Sequence, residues 1–244
     1  MQTFTTKSQT IQDIIKGLEL SKNLFVSSII IGAPHTGKKS LLRQIFKDTT
    51  IISAKDKIQF ESTLDSCDEI IITDFELLDN ISKYDLSDKK IIATANYVHN
   101  QELIDDTFAF IYHIPPLIER QDDVKLLASH YLERAKEDLG LDSDINTNKI
   151  DLDLSNNTKS LKQSIYKYMM IESMSIDDIK SAIYEYLYQN LDGKDGYKEH
   201  LHIYEEPLIN AGLSRYKSQL KLSSILGINR NTLRKKILEH KIDA

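Results

Sequence analysis

One stretch near the N-terminus has the residue types and the spacing of a phosphate-binding loop. Gly32, Gly37 and Lys38 form the pattern Gly-x-x-x-x-Gly-Lys, between a run of β-branched residues and a stretch with the apolar spacing of a helix. In such a loop the backbone N–H groups point into a concave nest, and the lysine reaches the outer phosphates. We therefore expect ATP or ADP as the ligand; a loop that stays empty and only supports the fold is the alternative.

Two neighbours within the loop bear on the same chemistry. Lys39 stands where many phosphate-binding loops place the Ser or Thr that holds magnesium, so the sequence leaves magnesium binding open. His35 either contacts the ligand or fills the loop. The loop residues that we expect to bind nucleotide are Gly32, His35, Thr36, Gly37, Lys38 and Lys39.

A second set of residues, near the C-terminus, has the pattern of a DNA-reading pair of helices. A short helix over residues 220–226 stops at Gly227, which suits a left-handed turn, and Asn229 is suited to cap a second helix. In that second helix Leu233 and Ile237 share one inward face, which leaves a basic outer face. This geometry sets a recognition helix in the major groove of double-stranded DNA.

The basic outer face supplies both kinds of DNA contact. N-terminal residues of a recognition helix meet base edges, and later lysines meet phosphates. We assign Arg230, Asn231 and Arg234 to the bases or the groove floor, and Lys235 and Lys236 to the DNA backbone. A basic helical hairpin that contacts protein is the alternative. The complete set of expected DNA-binding residues is Asn229, Arg230, Asn231, Thr232, Arg234, Lys235 and Lys236.

The distribution of charge agrees with a DNA-binding C-terminus. The chain has 244 residues and a formal net charge of −6. Residues 213–244 contain eight lysines and arginines against two acidic residues, a net +6, which leaves −12 for residues 1–212. An acidic body with a basic end is typical of a chain whose end meets a polyanion, and chance clustering on a solvated helix is the alternative.

Composition narrows the class of protein. Apolar residues make up 41% and charged residues 28%, which supports a packed core and argues against general disorder. The one cysteine, Cys67, excludes an internal disulfide and a cysteine metal cluster, and no apolar run is long enough to span a membrane. The first residues lack the charged start and apolar stretch of a signal peptide. We therefore expect a cytoplasmic protein with no membrane partner and no metal site.

Alternating apolar segments predict the elements that position these residues. Residues 25–31, 69–74, 90–95 and 108–114 are typical of buried strands. They alternate with helical segments, which indicates a parallel α/β sheet. Residues 121–139 have the spacing of one amphipathic helix, and shorter helices are expected after it.

Several segments, in order along the chain, are similar to the NtrC-like, sigma-54-dependent transcription activators. Residues 8–12 and the loop at 32–38 resemble the start of the AAA+ domain of that family, and residues 113–124 resemble its LPPLRER-x-DI segment. Residues 154–161 are similar to its WPGNVREL lid motif, and residues 226–236 to its Fis-type helix-turn-helix. The Pro-Pro segment and the Fis-type module are the most specific of these matches.

The resemblance implies a fold, a set of domains and further site residues. It implies a P-loop AAA+-like parallel α/β sheet with a helical lid, followed by an all-α Fis-type helix-turn-helix domain. Asp74 takes the place of the family's strand-end acid, Asn96 that of its sensor polar residue and Lys159 that of its sensor arginine, so all three are expected to bind nucleotide. The expected parts are an AAA+-like domain at 1–135, a helical lid at 136–190, a linker at 191–196 and a DNA-binding domain at 197–244.

Other positions depart from the family and argue against efficient ATP hydrolysis. Only 35 residues separate the loop lysine from Asp74, and no GAFTGA-type loop that touches the sigma factor lies between them. The family's Asp-Glu pair is Asp74-Phe75 here, and Glu76 lies one place further, where strand alternation would turn its carboxylate to the other face unless the backbone bulges. The family's arginine fingers align near Asn100 and Asp106.

The sequence thus predicts a DNA-binding transcription regulator whose degenerate AAA+ domain binds nucleotide and hydrolyses ATP poorly or not at all. We expect no receiver-type domain before residue 8. We also expect a homodimer through the C-terminal domain, where residues 205–209 resemble the dimerisation helix of Fis-type domains. Two alternatives stay open: an active ATPase that remodels sigma-54 RNA polymerase, and a non-catalytic adaptor that pairs with a full-length activator.

Overall fold

Runs of buried β-branched residues form a parallel sheet in the N-terminal part of the chain. The computed structural model describes residues 4–78, 84, 86, 88–98, 100–141 and 150–242. Its strands are β1 (Ser28–Ile31), β2 (Thr50–Ser53), β3 (Glu69–Thr73), β4 (Lys90–Ala95) and β5 (Phe110–His113). They are all parallel, in the spatial order β2-β3-β4-β1-β5.

Helices flank the strands and make up the rest of the regular structure. In the first part of the chain they are α1 (Gln9–Ser21), α2 (Lys38–Ile45), α3 (Lys57–Ser66), α4 (Gln101–Thr107), α5 (Gln121–Leu139) and α6 (Asn157–Ser173). In the second part they are α7 (Ile176–Asn190), α8 (Gly196–His200), α9 (His202–Tyr216), α10 (Gln219–Leu226) and α11 (Arg230–Glu239). Within the described residues, none of these helices has both the length and the apolar character that crossing a membrane requires.

Both faces of the sheet are covered, which explains why its strands are apolar throughout. Ile29 and Ile31 of β1 belong to a core cluster with Phe60 of α3, whereas Ile30 belongs to a second cluster with Leu41 of α2. Successive strand residues point to opposite faces, and a parallel sheet with two covered faces has nearly continuous apolar strands. The prediction of a parallel α/β sheet is confirmed.

Strand β2 is absent from the predicted elements. It pairs with β3 at the edge of the sheet, and Ile52 is its one buried residue. A four-residue strand with a single buried position leaves little periodicity to detect. The four predicted strands correspond to β1, β3, β4 and β5, with ends that differ by at most three residues.

Helices α5 and α6 pack against each other through a third apolar cluster. Val124 and Leu132 of α5 meet Leu161 and Ile165 of α6, together with Leu117, which lies in a short 3₁₀ turn before α5. Helix α5 has the bounds that the apolar spacing of residues 121–139 predicts.

The chain divides into two compact units, Met1–Ser173 and Met174–Ala244. The division falls inside the lid predicted at 136–190, because α6 packs against α5 in the first unit. Helix α7, the first helix of the second unit, begins at a capping box formed by Ser175 and Asp178. Residues 191–195 of the predicted linker lie between α7, which ends at Asn190, and α8, whose first residue is Gly196.

The second unit has a small core of its own around α9, α10 and α11. Ile209, Leu222, Leu233 and Ile237 form this core. Helix α10 ends at Gly227, which has a left-handed φ of 65°. Asn229 caps α11, and its Oδ1 accepts a hydrogen bond of 2.8 Å from the backbone N–H of Asn231. The predicted turn and cap between the last two helices are therefore observed.

Candidate functional site

A cavity of about 400 Å³ lies at the carboxyl ends of β1, β3 and β4, beside the predicted phosphate loop. This volume is within the usual range for ligand pockets, about 300–1,000 Å³. The predicted residues that line the cavity are His35, Gly37, Lys38, Lys39, Asp74 and Asn96. The lining residues that were not predicted are Pro34, Ser40, Lys55, Thr94 and Thr158.

The two glycines of the loop are required by close contacts. A Cβ on Gly32 would lie 2.5 Å from the carbonyl oxygen of Ile114. Gly37 has a φ of +101°, and a Cβ there would lie 2.6 Å from the ring of Phe4. Thr36 is buried between them and donates its hydroxyl to a loop carbonyl. Gly32 and Thr36 thus shape the loop without lining the cavity.

Lys38 is folded back onto its own loop. Its Nζ donates to the carbonyl oxygens of Gly32 and Ala33, at 2.5 and 2.8 Å, and to Asn96 Oδ1 at 3.1 Å. Burial lowers the pKa of Lys38 from 10.5 to about 8, against the opposing influence of the nearby Glu76 carboxylate. A phosphate that enters the cavity would replace these neutral acceptors with a charged one, and charge-assisted hydrogen bonds are the stronger kind.

Asp74 is surrounded by donors. It follows β3 and its side chain is only 8% exposed. Its Oδ2 accepts from Lys39 Nζ and from Ser53 Oγ, both at 2.9 Å, and Lys55 Nζ lies 3.7 Å from Oδ1. Burial acts to raise the pKa of Asp74, but the bonds from Lys39 and Ser53 and the charges of the two lysines outweigh burial and hold the pKa below its ordinary value. Two ammonium groups therefore neutralise this carboxylate.

Of the two directions that the sequence leaves open for Glu76, its carboxylate takes the one that faces this region. Asp74 adopts a left-handed backbone with a φ of 60°, and Phe75–Leu77 then form a 3₁₀ turn, so strand alternation no longer applies. Glu76 Oε1 accepts from Asn96 Nδ2 at 2.6 Å. Its Oε2 is buried and has no hydrogen-bond partner within the described part of the chain. The turn therefore links Glu76, Asn96 and Lys38 in one series of hydrogen bonds.

A buried ion pair fastens the phosphate loop to two other segments. Arg120 and Asp123 are 4% and 0% exposed, and Arg120 Nε lies 2.9 Å from Asp123 Oδ2. Arg120 Nη1 also donates to the Thr36 carbonyl at 3.0 Å. Asp123 accepts from the backbone N–H of Lys7 at 2.6 Å and from the hydroxyl of Thr6 at 2.8 Å. The charged residues of the Pro-Pro segment thus hold the loop and the N-terminal segment together, a role that the sequence did not reveal.

The start of α6 bonds directly to the loop. Asn157 Nδ2 donates to the Pro34 carbonyl at 2.8 Å, and Thr158 Oγ1 donates to the His35 carbonyl at 2.7 Å. Asn157 Oδ1 in turn accepts from the backbone N–H of Leu117 at 2.7 Å. These residues belong to the segment that resembles the lid motif. A change in the conformation of the loop would therefore act directly on the start of α6 through these hydrogen bonds.

In the second unit, most of the predicted DNA-binding residues share the exposed side of α11. Leu233 and Ile237 face the core, at 0% and 6% exposure. The exposed residues at the start of the helix and along it are Asn229, Arg230, Asn231, Thr232, Arg234 and Lys235. The helix therefore presents two arginines and a lysine to solvent while its apolar side anchors it.

Lys236 is placed differently from these exposed residues. Its ammonium pairs with the Glu205 carboxylate of α9, and both side chains are largely buried. His240 Nε2 lies 3.1 Å from the other carboxylate oxygen of Glu205. The hydrogen bond from Lys236 holds the pKa of Glu205 below its ordinary value. Lys236 thus joins α11 to α9.

No protein-family model matches the chain, and neither does any curated protein. Solved structures do match. NtrX from Brucella abortus in complex with ATP is 12% identical, with 99% of this chain and 70% of that chain covered and a TM-score of 0.57. The ADP complex of the same protein is 12% identical, with 98% and 70% covered and a TM-score of 0.54. The first unit has the α/β fold of AAA+ P-loop ATPases.

Three expected positions of the AAA+ site lie away from the cavity lining. Lys159, in place of the sensor arginine, is exposed in the first turn of α6, next to the lining residue Thr158. Asn100 caps α4 by accepting from the Leu103 N–H at 3.2 Å, and Asp106 is exposed on the same helix. The last two positions, which align with the arginine fingers of the family that the sequence resembles, hold no positive charge.

Proposed function

We propose that the chain is a cytoplasmic transcription regulator that binds double-stranded DNA through α11. Its AAA+ domain binds a nucleotide and hydrolyses ATP poorly or not at all. The observation that carries the proposal is the exposed basic side of α11, on a helix whose other side is anchored in the core of the second unit. Helices α10 and α11 then act as a Fis-type helix-turn-helix, as the sequence resemblance implies.

The order of residues along α11 suits a recognition helix. Arg230 and Asn231 lie in its first turn, and Arg234 lies one turn later. The N-terminal part of a recognition helix meets base edges in the major groove, where Arg pairs with guanine and Asn with adenine. Lys235 is exposed and suited to a phosphate contact. Lys236 has the smaller part in DNA binding, because Glu205 already holds its ammonium.

We infer a homodimer formed through α7 of the second unit. The helix segment at 205–209, which resembles a dimerisation helix, contributes Ile209 to the core of its own unit, at 2% exposure. Helix α7 also leaves a row of isoleucines on one face in solvent. Ile176, Ile179 and Ile183 recur at helical spacing and are 73%, 47% and 39% exposed. Pairing this face with a second copy would present two recognition helices to a roughly palindromic DNA site.

The cavity of the first unit supports nucleotide binding. The ammonium groups of Lys38, Lys39 and Lys55 line it, next to the N-terminus of α2 and the backbone of the loop. These are the features that attract a chain of phosphates. We propose ATP or ADP as the ligand. Because Asn157 and Thr158 bond to the loop carbonyls, the bound state of the loop would be transmitted to α6.

A second candidate function is ATP hydrolysis, as in sigma-54 activators that remodel RNA polymerase. The position of Glu76 favours it, because this carboxylate bonds to Asn96 at the cavity and could position a water molecule. The engagement of Asp74 by Lys39 and the residues at the arginine-finger positions argue against it. We therefore rank hydrolysis below passive nucleotide binding.

An adaptor that pairs with a related activator would retain the fold and lack site-specific DNA binding.

DNA binding is tested with a duplex that the purified protein selects from a random library. The double variant Arg230→Ala/Arg234→Ala should lose most of the site-specific affinity, since each good bidentate base contact contributes about 1–3 kcal/mol. Lys198→Ala is the matched control, because it removes a positive charge from an exposed position on α8. Selection of no sequence, or equal loss in both variants, would contradict the proposal.

ATP turnover separates the two candidate functions. At high protein concentration, the wild type should release no more phosphate than the Lys38→Ala variant. Turnover in the wild type that disappears in both Lys38→Ala and Glu76→Gln would establish the hydrolytic function in its place.

A further inference from the structure

The acid at the end of β3 has a lysine where a metal ion would be expected. P-loop ATPases hold magnesium with the Ser or Thr that follows the loop lysine and with an acid on a neighbouring strand. In this chain the first position is Lys39 and the second is Asp74. Lys39 Nζ lies 2.9 Å from Asp74 Oδ2, so an ammonium group already occupies a binding position of the carboxylate.

Magnesium does not fit this set of groups. It requires near-octahedral oxygen ligands at about 2.0–2.1 Å and brings two positive charges. Lys39 offers no oxygen ligand. The ammonium groups of Lys39 and Lys55, at 2.9 and 3.7 Å from the Asp74 carboxylate, would repel a further cation there. A magnesium ion could bind Asp74 only after Lys39 had moved away.

Neighbouring hydroxyl groups do not restore the missing ligand. Ser40 lines the same cavity, but it follows Lys39 on α2 and is therefore rotated by about 100° around the helix axis from the position that holds magnesium in P-loop ATPases. Ser53 is close to the acid, but its hydroxyl donates to Asp74 Oδ2 at 2.9 Å, the same oxygen that accepts from Lys39. The Thr73 hydroxyl lies 3.3 Å from the same oxygen, so Asp74 Oδ2 already has three donors around it.

We propose that this site binds a nucleoside diphosphate or triphosphate without a divalent cation, with the Lys39 ammonium in the place that magnesium takes in related ATPases. The inference rests on the proposed nucleotide binding. The attraction for phosphate comes from Lys38, Lys39 and Lys55, which line a single cavity. The Asp74 carboxylate offsets one of their three positive charges. Lys39 keeps its bond to Asp74 and offers its remaining N–H donors to phosphate oxygens, since an ammonium group has three donors.

The test compares nucleotide binding with and without metal. A fluorescently labelled ADP is titrated into the purified full chain, once in excess magnesium and once in excess EDTA. We expect equal or tighter binding in EDTA, because magnesium neutralises the phosphates that the lysines recognise. Binding that weakens about tenfold or more in EDTA would overturn this inference and leave the proposed nucleotide binding intact.

Substitution of Lys39 by threonine should make nucleotide affinity depend on magnesium, which we do not expect of the wild type. Its side chain is 49% exposed, so Lys39→Thr removes the ammonium and supplies a hydroxyl with little effect on packing. This variant should bind labelled ADP about tenfold more tightly in magnesium than in EDTA. Lys55→Thr is the matched control, because it removes the other ammonium beside Asp74 and leaves α2 unchanged; its binding should stay independent of magnesium. Lys39→Thr binding that ignores magnesium would count against the inference.

The Lys38→Ala variant distinguishes a failure of the proposed nucleotide binding from a failure of the metal-free mode alone. It should lose nucleotide binding in both solutions. If the wild type binds labelled ADP no better than Lys38→Ala in either solution, the proposed nucleotide binding fails, and the metal-free mode fails with it.

Discussion

The phosphate loop of the first unit and the exposed side of α11 in the second hold their basic residues in opposite ways. In the first unit, Lys38 donates to loop carbonyls and to Asn96, and Lys39 pairs with Asp74. In the second unit, Arg230 and Arg234 are exposed and have no ion-pair partner within the ranges that the structure describes. A buried cation has to be paired with fixed polar groups, whereas an exposed one is solvated by water until a ligand replaces that water.

Because of this difference, the affinities of the two proposed ligands should depend on different conditions. A phosphate at the loop must compete with partners that are already in place, so its binding depends on geometry and on the protonation of the lysines. If α11 binds DNA as proposed, a DNA phosphate there would mainly release counterions, so that binding would depend on salt concentration. On the proposed functions, the same residue types would serve a selective site in one unit and an electrostatic surface in the other.

Removal of Arg120 tests the internal pairing of the first unit most severely. Arg120→Ala leaves Asp123 buried and without its charged partner, which typically costs about 3–5 kcal/mol of unfolding free energy. Arg134→Ala is the control, because Arg134 is half-exposed and 3.8 Å from Asp138, a pair that contributes about 0–1 kcal/mol. Urea denaturation measures both. Equal, small losses would mean that Asp123 is satisfied by its backbone and hydroxyl donors alone.

The protonation of Lys38 should control nucleotide affinity. Since burial lowers its pKa to about 8, affinity should be constant below this pH and fall above it, by up to about tenfold per pH unit. Calorimetry near pH 8 in two buffers of different ionisation enthalpy should show proton uptake on binding. Affinity that stays flat as the pH rises past 8 would show that this lysine does not bind the phosphates in its protonated form.

The same pKa change has the opposite effect on the free protein. Between about 8 and the ordinary value of 10.5, the unfolded chain holds a proton on Lys38 that the folded chain has released. Unfolding is then coupled to proton uptake, so the free energy of unfolding should rise with pH in this window. Lys38→Ala should remove this rise in the free energy of unfolding, which separates Lys38 from other lysines of the chain.

Elements with strong periodicity could be predicted from the sequence, and this includes most of the fold. Residues 90–95 and 121–139 were predicted with the bounds that β4 and α5 have. The cap at Asn229 followed from side-chain chemistry that acts within one turn of helix. Strand β2 was missed because Ile52, its one buried residue, leaves no pattern.

The candidate site was less predictable, because its contacts depend on backbone angles and on distant pairings. Lys39 and Asp74 were both expected at the site, but their ion pair depends on the orientation of α2 next to β3. The side that Glu76 faces could not be predicted, because it depends on whether Asp74 leaves the extended conformation, and the one signal for this was that Asp tolerates left-handed angles. Arg120 and Asp123 belong to a segment that resembles a family motif, but nothing in the sequence indicated that their pair joins the phosphate loop to the N-terminal segment.

The smallest expected effects distinguish two adjacent lysines of α11. Lys235 is 78% exposed and has only a long contact of 3.6 Å with Glu239, whereas Lys236 pairs with Glu205. Lys235→Ala should leave the unfolding free energy unchanged and reduce the slope of log affinity for DNA against log salt by about 0.9 for the lost phosphate contact. Lys236→Ala should lower the unfolding free energy by about 1 kcal/mol and alter the slope less. A larger change in the salt slope for Lys236→Ala than for Lys235→Ala would place Lys236 on the DNA. Its pair with Glu205 would then break on binding, and a DNA phosphate would compete with an existing partner, as we expect of a phosphate at the loop of the first unit.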